Sequence, residues 1–231
     1  MSQRLITCSC EGCELRSLFF ENVLKDELEN ICSVKVERNF DKGDIIINEG
    51  DTIDQFMYLK NGLVKIYRKA DENRDQIIKF SGPLDFVSML SVFSDTHYHY
   101  SVTAIEDSVV CYLELSLVKN MALQNGKFAM SLLKKMSKIS DDIIKTTLDI
   151  RKKNLRGRIA YVLLYFSKTI YKSPSFELPV SRKEIAEMIE MTTENVIRIL
   201  SEFRKDGIIK IFGKTIEIID IERLEQVNQF G

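Results

Sequence analysis

The stretch SRKEIAEMIEMTTENVIRILSEF, Ser181–Phe203, spells two short amphipathic helices with a turn between them. Ser181-Arg182-Lys183-Glu184 has the form of a capping box, in which the Ser181 hydroxyl accepts from the Glu184 amide and the Glu184 carboxylate reaches back to the Ser181 amide. Ile185, Ala186 and Ile189 supply the apolar face of a two-turn helix. Thr192 then restarts the chain as a second N-cap. After it, Val196, Ile199, Leu200 and Phe203 recur at i, i+3, i+4 and i+7, which makes one buried stripe. The opposite face carries Thr193, Glu194, Ile197, Arg198 and Ser201, and Gly207 closes the helix.

Working outward, Ile208–Ile211 and Thr215–Ile219 are β-branched runs on either side of Phe212-Gly213-Lys214, which predicts a tight hairpin with glycine at its first central position. A helical pair followed by a hairpin is a winged helix-turn-helix; the plain alternative is a helical hairpin that only caps a core. Glu194 and Arg198 stand four residues apart near the start of the second helix, where base edges lie when such a helix enters the major groove. An arginine fork donates to guanine O6 and N7, and a carboxylate accepts from cytosine N4. The same two side chains also suit an ion pair on a solvated face. Ile197 is apolar where water is expected, which fits a thymine methyl or packing against a neighbouring element.

TTENVIRILSEFRKDGII followed by GKTIEI resembles the C-terminal end of the Crp–Fnr regulators, the cyclic-AMP receptor protein and its anaerobic relatives. The resemblance implies that Glu194 and Arg198 read a G·A step in each half of a palindromic operator. It implies that Arg182, Thr192, Asn195 and Lys214 lie along the phosphates. Thr193 and Ile197 fall where family members differ and half-site preference is set. Double-stranded DNA, a second copy of the chain and RNA polymerase are the partners it implies.

Between Cys32 and Leu115 the pattern is short strands with frequent turns. Phe40-Asp41-Lys42-Gly43-Asp44 turns into Ile45–Ile47, and Asn48-Glu49-Gly50-Asp51 turns out again. Phe56–Leu59 and Leu63–Tyr67 flank Lys60-Asn61-Gly62, a hairpin signal, and Gln76–Phe80, Tyr100–Ile105 and Val109–Leu113 add strands. Such spacing suggests a sandwich or barrel. KGDIIINEGD and MYLKNGLVKIY are similar to the Crp–Fnr sensor, a jelly roll that holds a cyclic nucleotide in the parent member. The family's phosphate cassette has a Gly-Glu-Leu turn and an arginine. Here the turn reads Ser88-Met89-Leu90, the arginine position falls at Tyr98 or His99, and no arginine occurs between Arg74 and Arg151. A buried phosphate without a cation is costly, so cyclic AMP is not the expected effector. Met89, Tyr98 and His99, with Ile143 and Ile144 where the nucleotide-binding member contacts the base, are the expected effector-pocket residues.

Ala129, Leu132, Met136, Ile139, Ile143, Thr146 and Ile150 alternate at spacings of three and four, the 3.5 period of two helices packed knobs-into-holes. A homodimer with Leu132, Met136, Ile139, Ile143, Thr146 and Ile150 on its seam is expected, with Asp141 and Asp142 beside it. A helix buried against its own domain is the competing reading.

Five cysteines, an odd number crowded at one end, do not make a disulfide framework. Cys8, Cys10 and Cys13 lie within six residues, a spacing that suits a soft metal or an iron–sulfur cluster. In the oxygen-sensing branch of the family, three N-terminal cysteines and one in the jelly roll hold such a cluster, and Cys111 falls at the fourth ligand. Cys10 and Cys13 match the first two ligands, but the third position is Phe19, so Cys8 or Cys32 has to substitute. The alternative is a tail of loose thiols with Cys111 as a small core residue.

His97-Tyr98-His99 has the His-x-His form that begins the metal site of cupin-type oxygenases, with Glu106 as a carboxylate candidate, and alternate strand residues share a face. The glutamate comes later than that spacing requires. A small organic molecule, a haem on one histidine, or no ligand at all are further readings of the front domain.

From Arg151 onward the chain holds 15 basic and 11 acidic residues, against 18 and 23 before it. The basic end fits phosphate attraction. No apolar run approaches the ~20 residues of a membrane span and no signal-peptide core opens the chain, so a cytoplasmic location is expected. The expected architecture is α+β: an N-terminal cysteine-containing segment over 1–20, a jelly-roll sensor over 21–125, a dimerisation helix over 126–154 and a winged helix-turn-helix over 155–231. It implies a bacterial-type transcription regulator with no catalytic residues.

Overall fold

A computed structural model describes residues 23, 31, 33–71, 74–88 and 90–231. The expected Cys8, Cys10, Cys13 and Cys32, and Met89 of the expected effector pocket, lie outside the described residues. The chain forms two compact units. The first holds the described residues up to Arg68 together with Ile78–Asp142, and the second holds Lys69–Ile77 and Ile143–Gly231.

The front half of the chain forms strands β1 (Val36–Phe40), β2 (Ile45–Ile47), β3 (Gln55–Asn61), β4 (Val64–Asp71), β5 (Arg74–Ser81), β6 (Ser101–Ala104) and β7 (Ser108–Glu114), all in the first unit except the end of β4 and the start of β5. One sheet runs β1-β7-β3 and the other β2-β6-β4-β5. Central β7 sets the register of the first sheet, with Val36 opposite Tyr112 on one side and Tyr58 opposite Cys111 on the other. Both expected turns form: the Asp44 amide donates to the Asp41 carbonyl at 2.9 Å, and the Asp51 amide to the Asn48 carbonyl at 3.1 Å. Phe56, Leu59, Val64, Phe80 and Val102 on these strands are fully buried. Phe128, from the start of the long helix, joins that buried set.

The expected Lys60-Asn61-Gly62 hairpin is not one. β3 and β4 belong to different sheets, and the chain turns the corner from one to the other at Gly62. Gly62 sits at φ 93°, and a Cβ there would lie 2.7 Å from the Ser108 Cα and 2.5 Å from the Asp107 carbonyl oxygen. A sheet-changing corner and a hairpin both require glycine between apolar runs, so the local signal is the same for either.

After α1 (Leu115–Gln124), α2 (Gly126–Lys152) is the long helix. Its residues differ in placement from the heptad reading. Leu132, Ile139 and Ile150 are buried within the chain itself, while Met136, Ile143 and Thr146 are half-buried. The exposed apolar residues on α2 are Met130, Leu133, Ile144 and Leu148.

The second unit continues with α3 (Leu155–Leu164), capped by the Asn154 side chain and running into a π-helical segment, Tyr165–Ile170. Strand β8 (Ser175–Glu177) follows, then α4 (Arg182–Met188), α5 (Thr193–Lys205), β9 (Ile209–Phe212), β10 (Thr215–Ile218) and α6 (Ile221–Phe230). The three strands form one sheet in the order β8-β10-β9. Strand β8 and helix α6 were not anticipated; α6 is capped by Asp220, whose side chain accepts from the Arg223 amide at 2.9 Å.

Gly62→Ala is expected to destabilise the protein by at least ~2 kcal/mol, because the added methyl meets backbone atoms and the new residue is held at positive φ. Urea denaturation of the two proteins checks this, and equal midpoints would contradict the corner.

Candidate nucleic-acid interface

The interface is organised by its caps. Ser181 Oγ accepts from the Glu184 amide at 3.1 Å and the Ser181 amide donates to the Glu184 carboxylate at 2.9 Å, the reciprocal pair of a capping box. Thr192 Oγ1 accepts from the Asn195 amide at 3.3 Å and starts α5. Between the helices, Glu190 adopts φ 53°, and the Met191 amide donates to the Ala186 carbonyl at 3.0 Å. Arg158 on α3 clamps this turn, its guanidinium donating to the Ile189 carbonyl at 2.9 Å and to the Lys153 carbonyl at 3.0 Å. Positive charge at the exposed carbonyls ending a helix is favourable. No local pattern in the sequence singles out Arg158 as the clamp, since the turn carbonyl it holds is about thirty residues away.

Helix α5 is anchored on one side only. Val196, Ile199 and Phe203 are 0% exposed and Leu200 2%, while Ile197 is 52% exposed. Thr193, Glu194, Ile197 and Arg198 therefore share the outward side, as the periodicity requires. Glu194 is exposed in the first turn. A hydrogen bond from its own backbone amide, then one from the Thr192 side chain, holds its carboxylate below the usual range, so it is ionised at neutral pH.

The expected alternative pairing of Arg198 with Glu194 does not form. Arg198 Nη1 donates instead to Glu202 Oε1, and Nη2 to Asn195 Oδ1 at 3.3 Å. Glu202 Oε2 also accepts from Arg156 Nη1 at 2.7 Å, and Arg156 Nη2 donates to Asp206 at 2.8 Å. The Arg156 guanidinium lies 4.8 Å over the Phe203 ring. Hydrogen bonding to Arg156 is the main cause of the lowered pKa of Glu202.

In the wing, Phe212 pairs with Thr215 across a two-residue Gly213-Lys214 turn, and Gly213 takes φ 61°, as a tight hairpin of this kind requires. Lys214 and Phe212 are exposed at its tip. Arg182 is half-buried at the start of α4 with no ion pair among the described residues, and burial pulls its pKa down.

These features match known proteins over most of the chain. Residues 37–125 match the cyclic nucleotide-binding domain and residues 157–227 the Crp-like helix-turn-helix domain. The chain belongs to the Crp–Fnr family of DNA-binding transcription regulators. It is 27% identical to the transcriptional activator protein Anr of Pseudomonas protegens over 219 residues, covering 91% of this chain and 88% of the relative. It is 25% identical to the anaerobic regulatory protein of Haemophilus influenzae, covering 93% and 86%. FixK2 from Bradyrhizobium japonicum shares the fold at a TM-score of 0.76 and 23% identity, covering 84% of this chain and 98% of that one.

The sensor half of this Crp–Fnr chain places the remaining expected residues as follows. Tyr98 is buried, with its hydroxyl donating to the Gln55 carbonyl at 3.3 Å, and Tyr100 packs against it edge-on at 5.7 Å. His99 points to solvent and bonds Asp95 at 2.7 Å, which holds the Asp95 carboxylate at about 2. Tyr98 and His99 thus lie on opposite faces of the segment and do not share a pocket. Ile143 is half-buried and Ile144 exposed.

The oxygenase alternative is not supported. His97 and His99 do share an outward face, but His97 bonds Thr96 at 2.9 Å and His99 bonds Asp95. No group of three or more potential metal ligands occurs among the described residues.

Cys111 is 0% exposed, and its Sγ donates to Glu37 Oε1 at 3.5 Å. Glu37 is itself buried and bridges Lys35 at 3.4 Å and Lys60 at 2.8 Å. Burial pushes the thiol up from 9.0 to about 12. The stability this contributes is whole below about 9 and is lost as pH climbs toward 12. Cys111 is therefore expected to resist iodoacetamide in the folded protein at pH 8 and to react only after unfolding, as followed by mass spectrometry. Labelling of the folded protein at the rate of a free thiol would contradict this.

Proposed function

We propose that this chain acts as a homodimer on a palindromic operator, with Glu194 and Arg198 reading base edges, under the control of a signal other than cyclic AMP. One observation carries the reading: α5 buries a complete apolar side and offers a polar outer side led by an ionised carboxylate and a guanidinium one turn apart. Ile197 adds an exposed apolar surface between them, suited to a thymine methyl. Thr193 beside it completes the base-facing set. Arg182, Thr192, Asn195 and Lys214 occupy the flanks, where phosphates run beside a helix in the major groove. Arg182 in particular has a cation with no carboxylate competing for it among the described residues.

The dimer seam is best assigned to the exposed strip of α2. Met130, Leu133, Ser137, Ser140, Ile144 and Thr147 repeat at spacings of three and four, and none is charged. Met136 and Ile143, half-buried, edge this strip. Two-fold symmetry then presents the two α5 helices to successive half-sites about 34 Å apart. A dimer on DNA is also the form in which RNA polymerase would meet the protein.

For the signal, the anaerobic names of its relatives raise an iron–sulfur cluster. Cys111 as placed does not fit the ligand role. A cluster ligand is a thiolate, whereas this thiol is buried, protonated at neutral pH and set against a carboxylate. Cyclic AMP fares no better, since the chain has no arginine between Arg74 and Arg151 to meet its phosphate.

Arg198→Ala is expected to cost ~1–3 kcal/mol of operator binding and to relax preference at a single base. Band-shift titration against an operator selected from random duplexes, and against copies changed at the G·A step, tests this. Unchanged discrimination would remove the assigned contact. Ile144→Glu is expected to raise the dimer dissociation constant at least ~10-fold in sedimentation equilibrium, by placing charge on the apolar strip. An unchanged constant would move the seam elsewhere.

A further inference from the structure

We infer that Glu202 is a positioning residue for operator recognition: it holds the Arg198 guanidinium ready at the base edges and hardly touches DNA itself. The inference rests on the reading of Arg198 as a base-contacting residue. Its ground is the way the Glu202 carboxylate divides its two oxygens. Oε1 takes Arg198 Nη1, and Oε2 takes Arg156 Nη1 at 2.7 Å.

Arg156 is not a loose partner. Asp206 holds its other nitrogen at 2.8 Å, and its guanidinium lies 4.8 Å over the ring of the fully buried Phe203. A continuous chain of contacts thus runs from the packed core, through Arg156 and Glu202, to Arg198. Asn195 completes the grip, its side-chain oxygen accepting from Arg198 Nη2 at 3.3 Å. Arg198 is held from one turn ahead and one turn behind on its own helix.

This grip is compatible with reading a base. A guanidinium has five N–H donors. Two are occupied by Glu202 and Asn195, and three remain, while a bidentate contact to guanine needs two. An unrestrained arginine has to surrender its rotamer freedom on binding, whereas here part of that ordering precedes the DNA. The arrangement also has a cost. Glu202 is a negative charge on the face that approaches phosphates, so it weakens sequence-independent attraction. The two effects have opposite signs on non-specific and specific binding, which separates positioning from a stabilising ion pair.

The test uses the full-length protein and fluorescence anisotropy with the selected operator, operators changed at the guanine of the G·A step, and an unrelated duplex. Glu202→Gln is expected to lower discrimination at that guanine about tenfold while binding to the unrelated duplex is unchanged or tighter. In an Arg198→Ala background the same substitution should cause no further loss. Arg156→Gln, which removes the buttress and leaves the DNA-facing residues intact, should lower discrimination in the same direction, and it decides the matter if Glu202→Gln folds poorly. Discrimination within about twofold of the parent protein in both variants overturns the inference, as does an equal loss in the Arg198→Ala background. If Arg198→Ala alone keeps full discrimination, the base-contact reading fails and the role of Glu202 falls with it.

Discussion

The burial of one side of α5 is the constraint on which the outer surface of the helix-turn-helix depends. Val196, Ile199, Leu200 and Phe203 leave water together, and at ~1.5–3 kcal/mol per fully buried side chain they hold the helix in one rotational setting. Once that setting is chosen, Thr193, Glu194, Ile197 and Arg198 have no other place than the outer side. The caps at Ser181 and Thr192 fix where each helix begins, and Arg158 fixes the turn between them. Glu190, a non-glycine residue at positive φ, is tolerated because the clamp on the Ile189 carbonyl and the Met191–Ala186 hydrogen bond favour that path.

How much was legible follows from the range of each interaction. The capping box, the second cap, the α5 stripe and the Gly213 turn are determined within a few residues, and each stands where its local pattern places it. The corner at Gly62 is not legible for a complementary reason: a hairpin and a change of sheet share the same local chemistry, and only the pairing partner of β3, strand β7, distinguishes them. The long helix poses the same difficulty in another form. A helix that packs on its own chain and also meets a partner carries two apolar stripes, and a 3–4 spacing is satisfied by either. Leu132 and Ile139 belong to the inward stripe, and Leu133 and Ile144 to the outward one, with Leu132 and Leu133 adjacent in the chain.

The sensor half illustrates the limit of transferring a site by position. Cys111 occupies the position that resemblance assigns to a cluster ligand, yet its surroundings are those of a core residue. The carboxylate it bonds is already shared by two lysines. Removing Glu37 would take the shared carboxylate from two ammonium groups, a costly loss where Lys35 is buried, and Glu37 and Lys60 reach each other from the strands on either side of β7. The two histidines, which position alone makes candidates for a metal, are each engaged by a neighbour in the same loop.

The Arg198 side chain is exposed, and an exposed ion pair contributes little to stability. The network around it is therefore better explained by orientation than by folding energy. A lone pair between Arg198 and Glu202 would fluctuate among rotamers, but Arg156 ties the shared carboxylate to Asp206 and to the buried Phe203 ring. Phe203 is also the last residue of the α5 stripe, so the packing that aims the helix reaches through Phe203 to the guanidinium at its outer face.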